Sequence, residues 1–261
     1  MSGLSVKERA MGGEKVCGTM IRNVRSPAMM HIAKNAGLDF IMFDCEHFSL
    51  NMETLHDSFL LANAIGLEGW ARVPVTTKDY ISRFLDAGAT GIMAPMTETV
   101  EQAKQLVYWS KYEPVGGRGF TANGAHTGYK TVSHKELMTD SNRRVMSIAQ
   151  IETKLAVENA KAIASVEGID CLLIGPNDLS IALGIPGDIM NPIELEAIAK
   201  VAKACRETGK LFSIHSPSSL HDKFKNELNI VMQIGDTEML RSGCEGIRAY
   251  CDKLKKEASH G

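Results

Sequence analysis

A (β/α)8 barrel of the α/β class is the fold this sequence predicts, on three observations. Apolar segments alternate with amphipathic ones along the chain, eight apolar segments can be marked, and the stretches between them are about one helix long. The strand candidates are 15–21, 38–44, 68–73, 91–95, 145–151, 169–174, 211–215 and 230–234. Parallel strands need crossovers of this length, and eight of them let a sheet close on itself. An open doubly wound sheet is the alternative that the same alternation permits.

The connecting segments follow in order. Ala36–Gly37–Leu38–Asp39 and Ala87–Gly88–Ala89–Thr90 read as helix-to-strand returns in which glycine takes a positive φ. Helices are expected over 77–86 and 97–109, capped by Thr77 and Thr97. Residues 112–144, rich in Gly, Thr, Asn and His, read as a long excursion from the core, with disorder as the alternative. Ala156, Ala160, Ile163 and Ala164 recur at helical spacing before Gly168, as Ile198, Val201, Ala202 and Cys205 do before Gly209. The last segment, 237–256, is a helix with Met239, Leu240, Ile247, Tyr250 and Leu254 as its apolar positions. It either caps its own barrel or docks on a neighbour.

The 261 residues suffice for one large core, and 1–261 is read as a single barrel domain. Hydrophobic residues at 44% against 23% charged exclude a disordered or coiled-coil chain. A net charge of −2 without a basic tract argues against a nucleic-acid partner. The six cysteines form no CxxC pair and are expected as reduced thiols in a cytoplasmic protein. No apolar run of about 18 residues and no leader-like segment is seen, so neither a membrane nor export is expected.

In a closed barrel, reactive groups gather on the loops that follow the strands. The second strand ends in Asp44–Cys45–Glu46–His47, the third carries Arg72, and Asp86 precedes the fourth. The fifth ends in Gln150–Ile151–Glu152, and the sixth runs into Gly175–Pro176–Asn177–Asp178. Together they make an acidic pocket with one fixed cation and one imidazole. Glu152 and Asp178 suit Mg2+ or Mn2+, with Co2+ as a further option, since such ions take oxygen ligands in octahedral sites. Each also has a plainer reading, Glu152 as a helix start and Asp178 as a helix cap. Arg72 offers the forked guanidinium that meets a carboxylate or keto oxygen, or else holds Asp44 in a structural pair. His47 could move a proton near neutral pH. His215, ending the seventh strand, has no obvious ligand partner. No zinc spacing, GxGxxG or GxxxxGK[ST] loop occurs.

An ordered set of motifs runs through nearly the whole chain: CGTM, FDCEH at 43–47, ARVP at 71–74, GIMAPM at 91–96 and GGRGF at 116–120. QIET at 150–153, EGIDCLLIGPNDLSIALGIP at 167–186 and IGDTEML at 234–240 complete it. On these residues the chain resembles the HpcH/HpaI family of metal-dependent, class II pyruvate aldolases. It is similar to 2-dehydro-3-deoxyglucarate and 2,4-dihydroxyhept-2-ene-1,7-dioate aldolases. The resemblance implies a barrel of the phosphoenolpyruvate/pyruvate type, with Glu152 and Asp178 as ligands of a divalent cation. It further implies that His47 transfers protons, Asp86 orients it and Arg72 contacts the pyruvyl group. Asp44, Gln150 and Asn177 fall at polar positions in or just behind the substrate site. A homo-oligomer, often a hexamer, with a C-terminal helix exchanged between subunits is implied as well. One departure stands out: relatives place an arginine and then an aromatic after the GxRG loop, where this chain reads FTANGAHTGYK with His126 and Tyr129. That puts an acidic aldehyde in doubt.

The expected activity is therefore reversible cleavage of a 2-oxo-4-hydroxy acid to pyruvate, or a close 2-oxo acid, and an aldehyde. The alternatives are a related lyase acting on an acyl thioester through enolate chemistry, and a noncatalytic metabolite-binding barrel.

Overall fold

The computed structural model describes residues 3–258, so the ends of the expected 1–261 unit, residues 1–2 and 259–261, lie outside the described residues. Eight parallel strands pair in chain order, and the last returns to the first to close the barrel. They are β1 (Val16–Ile21), β2 (Phe40–Asp44), β3 (Glu68–Arg72), β4 (Gly91–Ala94), β5 (Met146–Ile151), β6 (Cys171–Ile174), β7 (Leu211–His215) and β8 (Ile230–Gly235). The helices are α1 (Val6–Met11), α2 (Ala28–Asn35), α3 (Met52–Ile65), α4 (Lys78–Asp86), α5 (Val100–Ser110), α6 (His134–Arg144), α7 (Lys154–Ala164), α8 (Pro176–Leu183), α9 (Pro192–Thr208), α10 (Ser218–Lys223) and α11 (Asp236–Ala258). Every expected strand coincides with an observed one to within two residues, and closure removes the open-sheet alternative.

The period of two along each strand sorts side chains between two cores. Phe40, Met42, Trp70, Met93, Met146, Ile148, Leu173 and Met232 fill the barrel interior. Phe40 and Trp70 stack there with ring centroids 3.8 Å apart. The residues between them, such as Ile41, Phe43, Ala71, Ala149 and Leu172, pack outward against the helices. The same parity carried one step further brings Arg22 after Met20, Asp44 after Met42, Arg72 after Trp70 and Gln150 after Ile148. All four reach the C-terminal mouth, where a barrel gathers its chemistry.

Three local features depart from expectation. Helix α1 was not foreseen: six residues are too few to carry a period, yet a Ser5–Glu8 capping box starts it. Its Val6 N–H donates to the buried Glu68 Oε1 at 2.7 Å, closing the N-terminal end of the barrel. Thr97 does not cap α5; its hydroxyl donates to Ala94 O at 3.0 Å, while Thr99 forms a capping box with Gln102. The expected excursion over 112–144 ends in α6, leaving 112–133 as loop with one 3-10 turn at Ala125–Thr127. The glycine returns hold, with φ of +86° at Gly37 and +110° at Gly88. Thr77 is the N-cap residue of α4, without a side-chain hydrogen bond. All six cysteines are unpaired. No helix among the described residues is long and apolar enough to cross a membrane.

Candidate active site

At the C-terminal mouth a cavity of about 210 Å³ is lined by Met20, Arg22, His47, Arg72, Met93, Gln150, Leu173, Gly175, Pro176, Asn177, Asp178 and His215. At roughly 30 Å³ per water, that holds about seven waters or a small polar metabolite. A larger hollow of about 390 Å³ lies at the opposite mouth, beside Arg9, Asp39 and Glu68. Strand N-termini of barrels serve stability rather than chemistry, so the smaller cavity is the candidate site.

Arg72 forms its basic wall. Asp44 and Arg72 are register partners on neighbouring strands, which sets their side chains side by side at the same height in the barrel. Arg72 Nε donates to Asp44 Oδ1 at 3.0 Å and Nη2 donates to Oδ2 at 2.5 Å, a two-point fork. Nη1 lies 3.1 Å from Glu46 Oε2. Burial opposes the charge on both partners, but their mutual hydrogen bonds and attraction prevail. The Asp44 carboxyl is held below its ordinary range and the Arg72 guanidinium above its own. Arg72 is therefore both the structural partner of Asp44 and a cavity wall; the two readings are not exclusive.

The acidic wall is built on β5 and α8. Glu152 is buried at the end of β5, where Oε1 accepts the Met96 N–H at 2.7 Å and Oε2 accepts Gln150 Nε2 at 2.5 Å. Met96 donates from a left-handed backbone at φ +49°, a conformation that costs a non-glycine residue and recurs at functional sites. Gly175 is required here: a Cβ on it would sit 2.6 Å from Glu152 Oε2. Burial first, then the charges of Asp178 and Glu46, push the Glu152 pKa from its ordinary 4.5 up to about 7. Helix α7 starts at Lys154 with Thr153 as its cap, so Glu152 is not the helix start. Asp178 stands exposed in the first turn of α8 and makes no side-chain hydrogen bond or ion pair among the described residues.

These residues fit a hard divalent cation. The charge of Asp178 disfavours charge on Glu152, so acid repels acid between them, and Gln150 Oε1 is buried with no partner among the described residues. An all-oxygen donor set of this kind suits Mg2+ or Mn2+ better than a zinc-like ion. Among the described residues, no three His, Cys, Asp or Glu side chains converge on one point, so Glu152 and Asp178 would need oxygens from elsewhere to complete the shell.

The remaining expected residues divide. His47 follows β2 at the rim, its side chain 56% exposed, with Nε2 3.7 Å from Glu46 Oε2. Asn177 lines the cavity beside Asp178. Asp86 is elsewhere: it ends α4 just before β4 begins, at the N-terminal mouth, and accepts Arg118 Nη2 at 2.6 Å. One chain therefore does not bring Asp86 to His47, because the strand separating the two ends of the barrel lies between them. Sequence reasoning gave no role to three residues, although it set His215 at a strand end that could approach the mouth. Glu46 braces Arg72, while Arg22 and His215 line the cavity. The inward parity of β1 and β7 was the signal that could have found the last two.

Comparison with known proteins agrees with this architecture. The family model described as HpcH/HpaI aldolase/citrate lyase matches residues 20–242. A 4-hydroxy-4-methyl-2-oxoglutarate aldolase of Chaetomium globosum is 32% identical over 232 residues, covering 87% of this chain and 86% of its own. A hydroxypyruvate/pyruvate aldolase of Roseobacter denitrificans is 32% identical over 209 residues, covering 80% of each chain. Among solved structures, an HpcH/HpaI aldolase from Desulfitobacterium hafniense superposes with a TM-score of 0.90 at 28% identity, over 95% of this chain and 97% of that one. A closed parallel barrel, a mouth cavity lined by Asp178 and a braced arginine, and a family match over most of the sequence agree: this chain belongs to the HpcH/HpaI aldolase/citrate lyase family, and its activity is of the aldolase or lyase type.

Proposed function

We propose that the chain catalyses reversible aldol cleavage of a 2-oxo-4-hydroxy acid to pyruvate, or a close 2-oxo acid, and an aldehyde. The observation that carries the reading is one small mouth cavity lined by Asp178 and the doubly braced Arg72, with Glu152 buried behind its lining residue Gln150 and within electrostatic reach of Asp178. Glu152 and Asp178 would hold the divalent cation, Mg2+ or Mn2+ with Co2+ as an alternative. When bound, that ion supplies positive charge to the carboxylate and keto oxygens of a 2-oxo acid as negative charge develops on them.

The chain's own residues account for the other steps. Arg72 is locked by Asp44 and Glu46, and its spare N–H groups donate to the pyruvyl oxygens without reorganising as the C3–C4 bond breaks. His47 takes the C4 hydroxyl proton directly or through water, and a proton delivered to C3 completes pyruvate. Gln150 and Asn177 orient the 2-oxo acid. For Asp86 to orient His47, a second copy of the chain has to deliver it, which ties that role to a homo-oligomer. Helix α11 supports such an assembly: Leu240, Ile247, Tyr250 and Leu254 recur at helical spacing along one stripe and are 47–74% exposed. A lysine Schiff base has less support. Buried Lys111 has its pKa lowered to about 8 by desolvation, but it sits at the N-terminal mouth bound to Val145 O and Asp170.

The test is a metal-supplemented assay that compares pyruvate release from 2-oxo-4-hydroxy acids with cleavage of malyl- or citramalyl-type thioesters. Pyruvate release that disappears on chelation is the expected result. Thioester cleavage alone would replace the aldolase reading with the lyase one. Neither cleavage nor metal-dependent hydrogen exchange at pyruvate C3 would leave a binding barrel.

A further inference from the structure

Two basic side chains in the cavity are unused by the aldol reading: Arg22, just after β1, and His215, at the end of β7. Arg22 is anchored from behind by the start of α11. Its Nη1 donates to both carboxylate oxygens of Glu238 at 3.2 Å. The backbone N–H groups of Arg22, Asn23 and Val24 converge on the Asp236 carboxylate at 3.0, 2.8 and 2.6 Å. Gly235 leaves the guanidinium its space, since a Cβ there would lie 3.2 Å from Nη1. The arginine is thus held at the rim through one nitrogen. Among the described residues neither Nε nor Nη2 has an acceptor, and Nε is buried.

His215 is half-buried, and neither of its ring nitrogens has a hydrogen-bond partner among the described residues. Desolvation, then the charges of Arg22 and Arg72, push its pKa down to about 3. It is therefore a neutral imidazole with one N–H to donate. The two arginines also differ in how far their charge is met. Two carboxylates, Asp44 and Glu46, compensate Arg72, whereas Arg22 has Glu238 on a single nitrogen. Arg22 is thus the cavity arginine with nitrogens left over, and a carboxylate presents two oxygens matched to a guanidinium edge.

We infer that Arg22 and His215 form a second anion subsite, which receives a carboxylate at the far end of the substrate and makes a 2-oxo dicarboxylic acid the preferred class. The inference rests on the aldol reading only for which half of the substrate carries that group; the anion site follows from the cavity itself.

Calorimetric titration with Mg2+ present tests it using two acids that lack the C4 hydroxyl and so cannot be cleaved. These are 2-oxoglutarate and 2-oxopentanoate, which differ in a terminal carboxylate against a methyl. The wild-type protein is expected to bind the diacid about tenfold or more tightly, the scale of one charge-assisted hydrogen-bonded contact. Arg22→Gln should bring that ratio close to one, and His215→Phe should reduce it severalfold. Equal wild-type affinities overturn the subsite, as does an Arg22→Gln protein that melts like wild type and keeps the full ratio. If Arg22→Gln does not fold, the wild-type ratio and the His215→Phe ratio decide. A separate arm measures cleavage of 4-hydroxy-2-oxoglutarate: diacid preference in binding without cleavage keeps the subsite and removes the aldol reading.

Discussion

The Arg72 guanidinium grips both oxygens of Asp44, Nε to Oδ1 at 3.0 Å and Nη2 to Oδ2 at 2.5 Å, from the facing register position on the adjacent strand. The fork turns a long flexible side chain into a fixed donor at the barrel mouth. Removing one member leaves the other charge buried. Asp44→Ala is expected to lower stability by about 3 kcal/mol and kcat/KM by at least about tenfold, because Glu46 meets only Nη1 and leaves Nε and Nη2 buried without their fork. Denaturant melts and steady-state kinetics check both. A variant matching the parent in both would deny Asp44 its bracing role.

Glu152→Ala and Asp178→Ala should each weaken Mn2+ or Mg2+ binding by about tenfold or more while the far-ultraviolet spectrum stays that of the parent. The Glu152 pKa, raised to about 7 in the metal-free protein, gives the sign of the pH effect. Below that pH a proton competes with the cation, so affinity should fall and binding should release a proton. Calorimetry in buffers of different ionisation enthalpy measures that release, and affinity indifferent to pH between 6 and 8 would contradict it.

His47→Ala should cut turnover by about a hundredfold to ten-thousandfold, the usual worth of a general acid–base group. The side chain is 56% exposed, so the melting temperature should barely move. Comparable losses in stability and turnover would instead mark His47 as structural.

Glu194 supplies a prediction unrelated to turnover. Both its carboxylate oxygens are buried without partners among the described residues, near the start of α9, and burial, then Asp188, push its pKa from the ordinary 4.5 up to about 7. A helix N-terminus favours negative charge, but here burial outweighs it. Because the folded value lies above the unfolded one, the folded state binds more protons between pH 4.5 and 7 and loses stability as pH rises through that window. Glu194→Gln should therefore be more stable than the parent at pH 8, by roughly 1 kcal/mol, with the gain vanishing near pH 4. Thermal melts across that range decide it, and a gain independent of pH would be inconsistent with the titration.

Ile247→Asp with Leu254→Asp places two charges on the exposed stripe of α11. If that stripe packs on a second copy, sedimentation velocity should report a smaller particle than the parent, with the barrel's circular dichroism unchanged. An unchanged particle size would mean the stripe faces solvent.

Much of this molecule was legible in the sequence. Eight apolar segments gave eight strands because burial on both faces leaves a local mark that no distant contact has to supply. Strand-end position also pointed to His47, Arg72, Gln150, Asn177 and Asp178, which line one cavity. What the chain alone could not supply were relations between elements. Thr97 stands two residues too early for the expected cap, because its hydroxyl turns back to Ala94 O at the end of β4 and α5 begins only after Thr99. His215 stands at a strand end without a partner, and Arg22 looks like an ordinary surface residue, until closure sets β1 and β7 around the same mouth. Asp86 shares a motif order with the other site residues but ends at the opposite mouth, because a helix returning to its next strand must deliver its last turn to that strand's beginning. Local pattern decided which residues became strand or helix and which faced inward; only the closed three-dimensional arrangement decided which inward residues meet, since their partners lie tens of residues away along the chain.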